Sequence, residues 1–264
     1  GPLAFIDHYL YVAPAPRGSG GEKKMKKVIV GICTLLFAAS VLAGPSVFVY
    51  GGVKNLYALG NGVVSAKDPV AQGGVTLSFE NGAYFDLWLS RRLSGAAGNV
   101  YGNESDFTLG WKGAVGSVSA DVGIAFFDLY RTARFDRNDV SQFFGEISPQ
   151  TPWAIGPTTL SPYVRLEVIS STGLGFRNEP VYFAGIRHTW PINERFSVLQ
   201  RLQVSEQPDL PGVAGGTVVS YKVQIPYKTD MYGITVTPSY ERIHPFIDGR
   251  PKSNVFGLQL SRAF

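Results

Sequence analysis

Residues Val75–Ser90 read VTLSFENGAYFDLWLS, two runs of alternating apolar and polar side chains divided by Asn81-Gly82. Val75, Leu77 and Phe79 fall on one face, with Gly74, Thr76, Ser78 and Glu80 on the other. Beyond the Asn-Gly pair, Phe85, Leu87 and Leu89 oppose Tyr84, Asp86, Trp88 and Ser90. A period of two marks a strand with one apolar face, and Asn-Gly between two such runs is a strong short-range hairpin signal. The stretch therefore predicts a β-hairpin, and its grammar recurs along the chain.

Phe107, Leu109 and Trp111 alternate with Asp106, Thr108 and Lys112, and Val118, Ala120, Val122, Ile124 and Phe126 with Ser119 and Asp121. Later come Val164, Leu166 and Val168 against Arg165 and Glu167, and Val198, Leu202 and Val204 against Arg201 and Gln203. Val219, Tyr221 and Val223 then oppose Ser220 and Lys222. From Gly44 onward no segment holds a helical period for three turns, so the fold class is all-β.

The connections sort into two kinds that alternate along the chain. Short ones stand at Asn81-Gly82, 114–116, 191–193 and 227–230; longer polar ones run over about 61–68, 93–102, 131–139, 171–178, 206–215 and 243–251. The segment 148–158, with Pro149, Pro152 and Pro157, falls where a short link is due. Between them lie about twelve strands of roughly 10 to 13 residues, an even number at the length a tilted strand needs to cross a bilayer. Strands of a soluble sandwich peak at about 5 to 6 residues. The expected architecture is a transmembrane antiparallel up-and-down β-barrel.

Composition agrees with this. With 45% hydrophobic residues, 31 glycines and a mean hydropathy of +0.05, a bundle of membrane helices is excluded, whereas a wall of alternating residues averages near zero. The net charge of +4 is partly owed to Lys23, Lys24, Lys26 and Lys27 and carries no nucleic-acid signal.

Met25, Lys26 and Lys27 open a positively charged stretch, Val28 to Phe37 an apolar one, and Val41-Leu42-Ala43 a small-residue cleavage site. This order predicts a secretory leader over residues 25–43, too short to span as a helix. Residues 1–24 read as an upstream extension outside the fold, and 44–264 as the barrel, which then lacks the sole cysteine, Cys33.

The closing stretch Asn254–Phe264, NVFGLQLSRAF, puts Phe256, Leu258, Leu260 and Phe264 on one face. In a closed barrel the last strand pairs with the first, so that this face meets lipid and needs no polar cover. The ending resembles the C-terminal signature of bacterial outer-membrane proteins, which the barrel-insertion machinery reads. Arg262 stands where that signature has an apolar residue.

Gln72, Gly73, Gly74, Gly82, Tyr84, Trp88, Ser90, Glu104, Asp106, Gly110, Trp111, Asp121 and Gly123 form a pattern over Ser65–Tyr130 that resembles the TorF-type porin family of bacterial outer-membrane β-barrel proteins. The resemblance implies an outer-membrane barrel and transfers no catalytic residue.

If the apolar stripes face lipid, the opposite parity lines the lumen. Glu80, Asp86, Glu104, Asp106, Asp121 and Glu146 come mainly from the first half; Arg165, Arg187, Arg195, Arg201 and Lys222 come from the second, with Lys112, Glu167 and Glu241 as exceptions. Facing rows of opposite sign would set a transverse field across a narrow bore; equally, the groups could pair and plug it. Trp88, Phe127, Tyr163 and Tyr84 share this parity and read as space-filling or as a stacking track, while Trp111, Trp190, Tyr232, Tyr240 and Phe264 read as girdle residues.

The expected function is porin-like diffusion of small polar or charged solutes across the bacterial outer membrane. The alternatives are a closed structural or adhesion barrel and a barrel-embedded hydrolase. His188 and His244 lack the serine two residues away that such a hydrolase needs, so no catalytic residue is assigned. Motifs for metals, phosphate or nucleotides are absent, so no cofactor is expected. Expected partners are outer-membrane lipid, the insertion machinery and small polar solutes, with the chain a monomer.

Overall fold

The hairpin at Asn81-Gly82 forms, but as a three-residue loop. Phe79 and Ala83 close it, with the Phe79 N–H donating to the Ala83 carbonyl at 2.9 Å and the Gly82 N–H to the Phe79 carbonyl at 2.9 Å. Gly82 takes a φ of +88°, the left-handed position of a type I turn ending in a bulge, and the Asn81 side chain accepts the Ala83 N–H at 3.0 Å. In the next hairpin, Gly116 at φ +62° starts a two-residue turn closed by Val115 and Val118.

The computed structural model describes residues 44–58, 64–94, 103–128, 139–171, 175–209 and 214–264. The expected leader, residues 1–24 and parts of several longer links lie outside them. The strands are β1 (Ser46–Lys54), β2 (Tyr57–Ala58), β3 (Val64–Ala66), β4 (Val70–Ser78), β5 (Ala83–Arg92), β6 (Glu104–Val115), β7 (Val118–Asp128) and β8 (Val140–Pro149). There follow β9 (Trp153–Ile155), β10 (Thr158–Ser171), β11 (Phe176–Pro191), β12 (Ser197–Gln207), β13 (Gly216–Gln224), β14 (Tyr227–Lys228), β15 (Thr235–Pro245) and β16 (Ser253–Ala263).

Twelve of these make a closed antiparallel barrel, in the order β1, β4, β5, β6, β7, β8, β10, β11, β12, β13, β15, β16 and back to β1. Closure rests on the first and last strands, which pair from Phe48 with Ala263 to Lys54 with Gly257; the Phe264 backbone bonds Val47 beyond them. No sheet edge is left in the ring, which answers the need for pairing of every strand in a membrane wall. The proline-rich link after β8 turns through β9, a small hairpin on β10.

Alternation sorts the two faces as the sequence suggests. Val49, Val53, Leu89, Val122, Phe143, Ile147, Val164, Leu166, Leu202, Val204, Leu258 and Leu260 are exposed on the outside, while Asp86, Trp88, Asp106, Tyr163, Glu167, Arg201 and Gln203 are buried inside. On β10 the outward run Leu160, Pro162, Val164, Leu166, Val168 spans roughly 27 Å along the strand. A barrel tilt of about 40° shortens this to about 20 Å, near the ~25 Å apolar band of membrane barrels.

The longer links gather at one end of the barrel and the short turns at the other, with both ends of the wall, Ser46 and Ala263. One link enters the bore: the chain after β1 turns inward as the β2–β3 hairpin, with Tyr57 and Ala66 each 3% exposed. Leu56 and Ala58 pack on Val218, Ile243, Ile247 and Val255, an apolar plug under the long-link mouth. Burying these side chains stabilises the inward hairpin by about 25 cal/mol per Å² removed from water.

Candidate pore lumen

Three groups of charged side chains line the inside. The first lies on β5 and β6 under the hairpin. Asp86, Glu104 and Asp106 are 1%, 4% and 0% exposed. The Thr76 hydroxyl donates to Asp86 Oδ1 at 2.5 Å, and the Tyr57 hydroxyl donates to Glu104 Oε2 at 2.9 Å. The Tyr57 ring also rests on Trp88, centroids 5.6 Å apart. Outside the wall, Asp68 accepts bonds from Arg92 and from the Ser94 hydroxyl, which hold its carboxyl below the usual carboxylate range and pin the base of the hairpin.

The second group spans β8, β10 and β11. Glu146 pairs with Arg187 at 2.8 Å and lies 4.0 Å from Arg165, which bonds Glu167 at 2.6 Å. The two guanidiniums lie over aromatic faces, Arg187 over Tyr163 at 3.8 Å and Arg165 over Phe144 at 4.4 Å, contacts that favour the cation electrostatically. On the neighbouring wall Asp121 accepts from the Tyr84 hydroxyl at 2.8 Å and lies 3.9 Å from Lys112 at the short-turn rim.

The third group joins β1, β12, β13 and β15. Arg201, 2% exposed, bonds Glu241 at 2.9 Å. Cross-strand register sets Arg201 beside Lys222 and Lys222 beside Glu241, and Lys54 of β1 reaches the same cluster over Gly257. A cavity of about 110 Å³ runs from Lys54, Lys222 and Trp88 toward Phe48 and Pro226 at the short-turn end.

Lumen aromatics are seated on glycines. Tyr50 lies across Gly74, Tyr84 across Gly110, Phe144 across Gly123 and Tyr163 across Gly185, each a direct cross-strand pair. A Cβ on any of these glycines would stand 2.4 to 2.8 Å from the ring. The bare backbone lets a large side chain lie flat against the wall rather than project into the bore.

Most sequence-level lumen candidates face inward: Asp86, Glu104, Asp106, Asp121, Arg165, Glu167, Arg187, Arg201 and Lys222. Two do not. Glu80 sits exposed in the β4–β5 turn, and Arg195 lies in the turn between β11 and β12, where it pairs with Asp230 at 2.8 Å. Both keep the parity of the adjacent strand, but the chain has left the wall at those positions. Acids do lead on β5 and β6 and bases on β11 to β13, on facing walls, yet Glu146, Glu167 and Glu241 meet the arginines locally.

Among the girdle candidates, Trp111, whose indole N–H donates to the Asn81 carbonyl at 2.9 Å, and Trp190 face outward near the short-turn end, with Tyr232 in a link there. Phe264 lies under the Arg262 guanidinium at 4.4 Å. Tyr240 is nearer the opposite rim, packed on Phe256 at 5.1 Å and donating to Asn254 at 2.9 Å. His188 faces outward beside Gln200, and His244 stacks on Phe246 at 4.5 Å. Among the described residues no cluster of His, Cys, Asp and Glu is arranged to hold a metal.

Sequence reading missed Tyr50, Lys54 and Tyr57. Their signal was the inward parity Phe48, Tyr50, Gly52, Lys54 of β1, interrupted by two glycines.

No protein-family model matches the chain, and no curated protein matches it. Among solved structures the barrel is similar to the NanC porin (TM-score 0.49, 10% identity, 81% of this chain and 97% of that one). It is also similar to the COG4313 outer membrane channel from Pseudomonas putida F1 (TM-score 0.49, 11% identity, 85% and 97%). A third likeness is to the translocator domain of the autotransporter NalP from Neisseria meningitidis (TM-score 0.44, 9% identity, 91% and 96%).

Proposed function

We propose that the chain is a bacterial outer-membrane channel through which small polar or charged solutes diffuse passively. The observation that carries this is the inversion of polarity: an apolar band outside the closed wall, and acidic and basic side chains with a cavity of about 110 Å³ inside it. A soluble protein buries its apolar face, whereas a barrel in lipid turns it outward. The resemblance of Ser65–Tyr130 to the TorF-type family is in keeping with this reading. In it, the C-terminal strand engages the insertion machinery, the short turns lie in the periplasm and the barrel works as a monomer without catalysis. The acids of β5 and β6 facing Lys222 and Arg201 orient dipolar solutes as they cross.

The inward β2–β3 hairpin favours one rival, a barrel closed at its long-link mouth that serves as a structural or adhesion module. Planar-bilayer recording separates the two. The channel gives resolved current steps from protein whose gel migration is heat-modifiable; the closed barrel gives the migration without the steps.

A further inference from the structure

The outer face carries a patch of charge that a channel has no need of. It lies at the long-link rim, where β15 and β16 leave the wall. Arg242 and Lys252 are exposed there, and the charges of both act on His244, whose ring stacks on the exposed Phe246 with centroids 4.5 Å apart. Register pairs Arg242 with Asn254 and, continued one step past Ile243 and Ser253, sets His244 opposite Lys252. Asn254 Oδ1 accepts from Arg242 Nη1 at 2.9 Å and from the Tyr240 hydroxyl at 2.9 Å, which fixes the guanidinium against the outer surface. Among the described residues no carboxylate forms an ion pair with Arg242 or Lys252. The acids of the flanking segments are Glu206 on β12, bonded by the Thr217 hydroxyl at 2.5 Å, and Asp209, which accepts from the Gly215 N–H at 2.6 Å. Asp248 stands in the β15–β16 link and shares it with Arg250.

The height of the patch suits a lipid headgroup. Below Asn254 the outward residues of β16 are Phe256, Leu258 and Leu260, with Tyr240 packed on Phe256 at 5.1 Å, and Arg262 stands at the far end. From Asn254 to Arg262 the strand rises roughly 27 Å, or about 20 Å across the membrane at a tilt of about 40°, near the ~25 Å apolar band of membrane barrels. We infer that this patch is a docking site for a phosphorylated lipid of the leaflet on the long-link side: Arg242 and Lys252 take the headgroup phosphate, and Tyr240, Phe256 and Leu258 take its acyl chains. The inference rests on the outer-membrane placement and not on an open pore. A guanidinium presents a planar fork that matches two phosphate oxygens, and an ammonium adds a compact charge beside it. Charge complementarity selects the phosphate, and the apolar surface directly beneath selects a lipid over a free anion.

The test uses the chain folded in detergent and checked by heat-modifiable migration, with diphosphoryl lipid A as the probe and native mass spectrometry to count bound lipid. The control is the same lipid stripped of its phosphates. Arg242→Gln with Lys252→Gln is expected to weaken binding of diphosphoryl lipid A about tenfold and to leave the stripped lipid within about a factor of two. Asn254→Ala keeps every charge but takes away the acceptor that positions Arg242, and is expected to weaken the same lipid about threefold. It also serves should the double variant fail the migration check. Arg262→Gln, which removes a charge from the opposite rim, should leave binding unchanged. Equal binding of the two lipids by wild type, no loss in the double variant, or an equal loss from Arg262→Gln overturns the site. So does displacement of the lipid by inorganic phosphate beyond the effect of sodium chloride at equal ionic strength, which would mark a site for free anions. A wild-type chain that never migrates as a heat-modifiable barrel overturns the membrane placement itself.

Discussion

Tyr57→Phe isolates the bond that holds the inward hairpin. The substitution keeps the ring on Trp88 and removes only the hydroxyl that donates to Glu104 Oε2 at 2.9 Å. Leaving the buried Glu104 oxygen without its donor costs about 1 to 3 kcal/mol, and taking ~2 kcal/mol, the ratio of undocked to docked hairpin should rise about 30-fold. From Gly44 on the sequence contains no cysteine, so Ala66→Cys supplies a single thiol at a site 3% exposed on the hairpin. When redocking is faster than the reaction, the maleimide labelling rate reports the undocked fraction directly. Tyr57→Phe in this background should therefore label about 30-fold faster. Tyr57→Ala, which also gives up the ring burial worth about 3 to 5 kcal/mol, should exceed it by a further factor of at least about 100. A Phe variant that labels within about a factor of two of its parent refutes the latch; so does an Ala variant no faster than the Phe variant.

Gly110→Ala brings a Cβ to 2.4 Å from the Tyr84 ring and should lower stability by about 1 to 3 kcal/mol in urea titration of the refolded barrel, whereas Gly145→Ala, whose nearest neighbour would be Val122 Cγ1 at 3.8 Å, should be close to neutral. Equal effects would show that the rings do not rest on their glycines. Leu258→Arg on the outer face should reduce folding into bilayers by about 2 to 4 kcal/mol at mid-depth, and far less in a polar medium; the same cost without lipid would mean that this face does not meet a membrane. Asp68, held low by Arg92, contributes its stabilisation above its ordinary pKa of 3.8 and loses it as the pH falls through the lower folded value. The urea midpoints of wild type and Asp68→Asn should thus differ at pH 7 and converge in acid, once the pH has fallen through that lowered folded value. A gap that persists in acid would place the effect elsewhere than on the carboxylate.

Much of the wall was legible in the sequence because alternation is local. Tyr84, Asp86 and Trp88 point inward for the same reason that Phe85, Leu87 and Leu89 point outward, and no distant residue is needed to decide it. The reading strayed where the local rule stops. Arg195 keeps the parity of β12 but belongs to the preceding turn, and Asn81-Gly82 marks a hairpin without stating that three residues make its loop. Parity is defined only while the chain stays in the ladder.

Side-chain partners across the lumen are a different kind of information. Arg187 meets Glu146 from 41 positions away, Tyr57 meets Glu104 from 47, and Lys54 joins Lys222 and Glu241 only because β1 closes against β16. The period-two pattern by itself determined that there would be an apolar face and a polar face, and how many crossings the chain would make. Which charges meet across the lumen, and that the first link folds inward, were decided by closure and register. These are set when the whole ring forms, since a face assigned to a residue says nothing of its height in the wall or of who stands opposite.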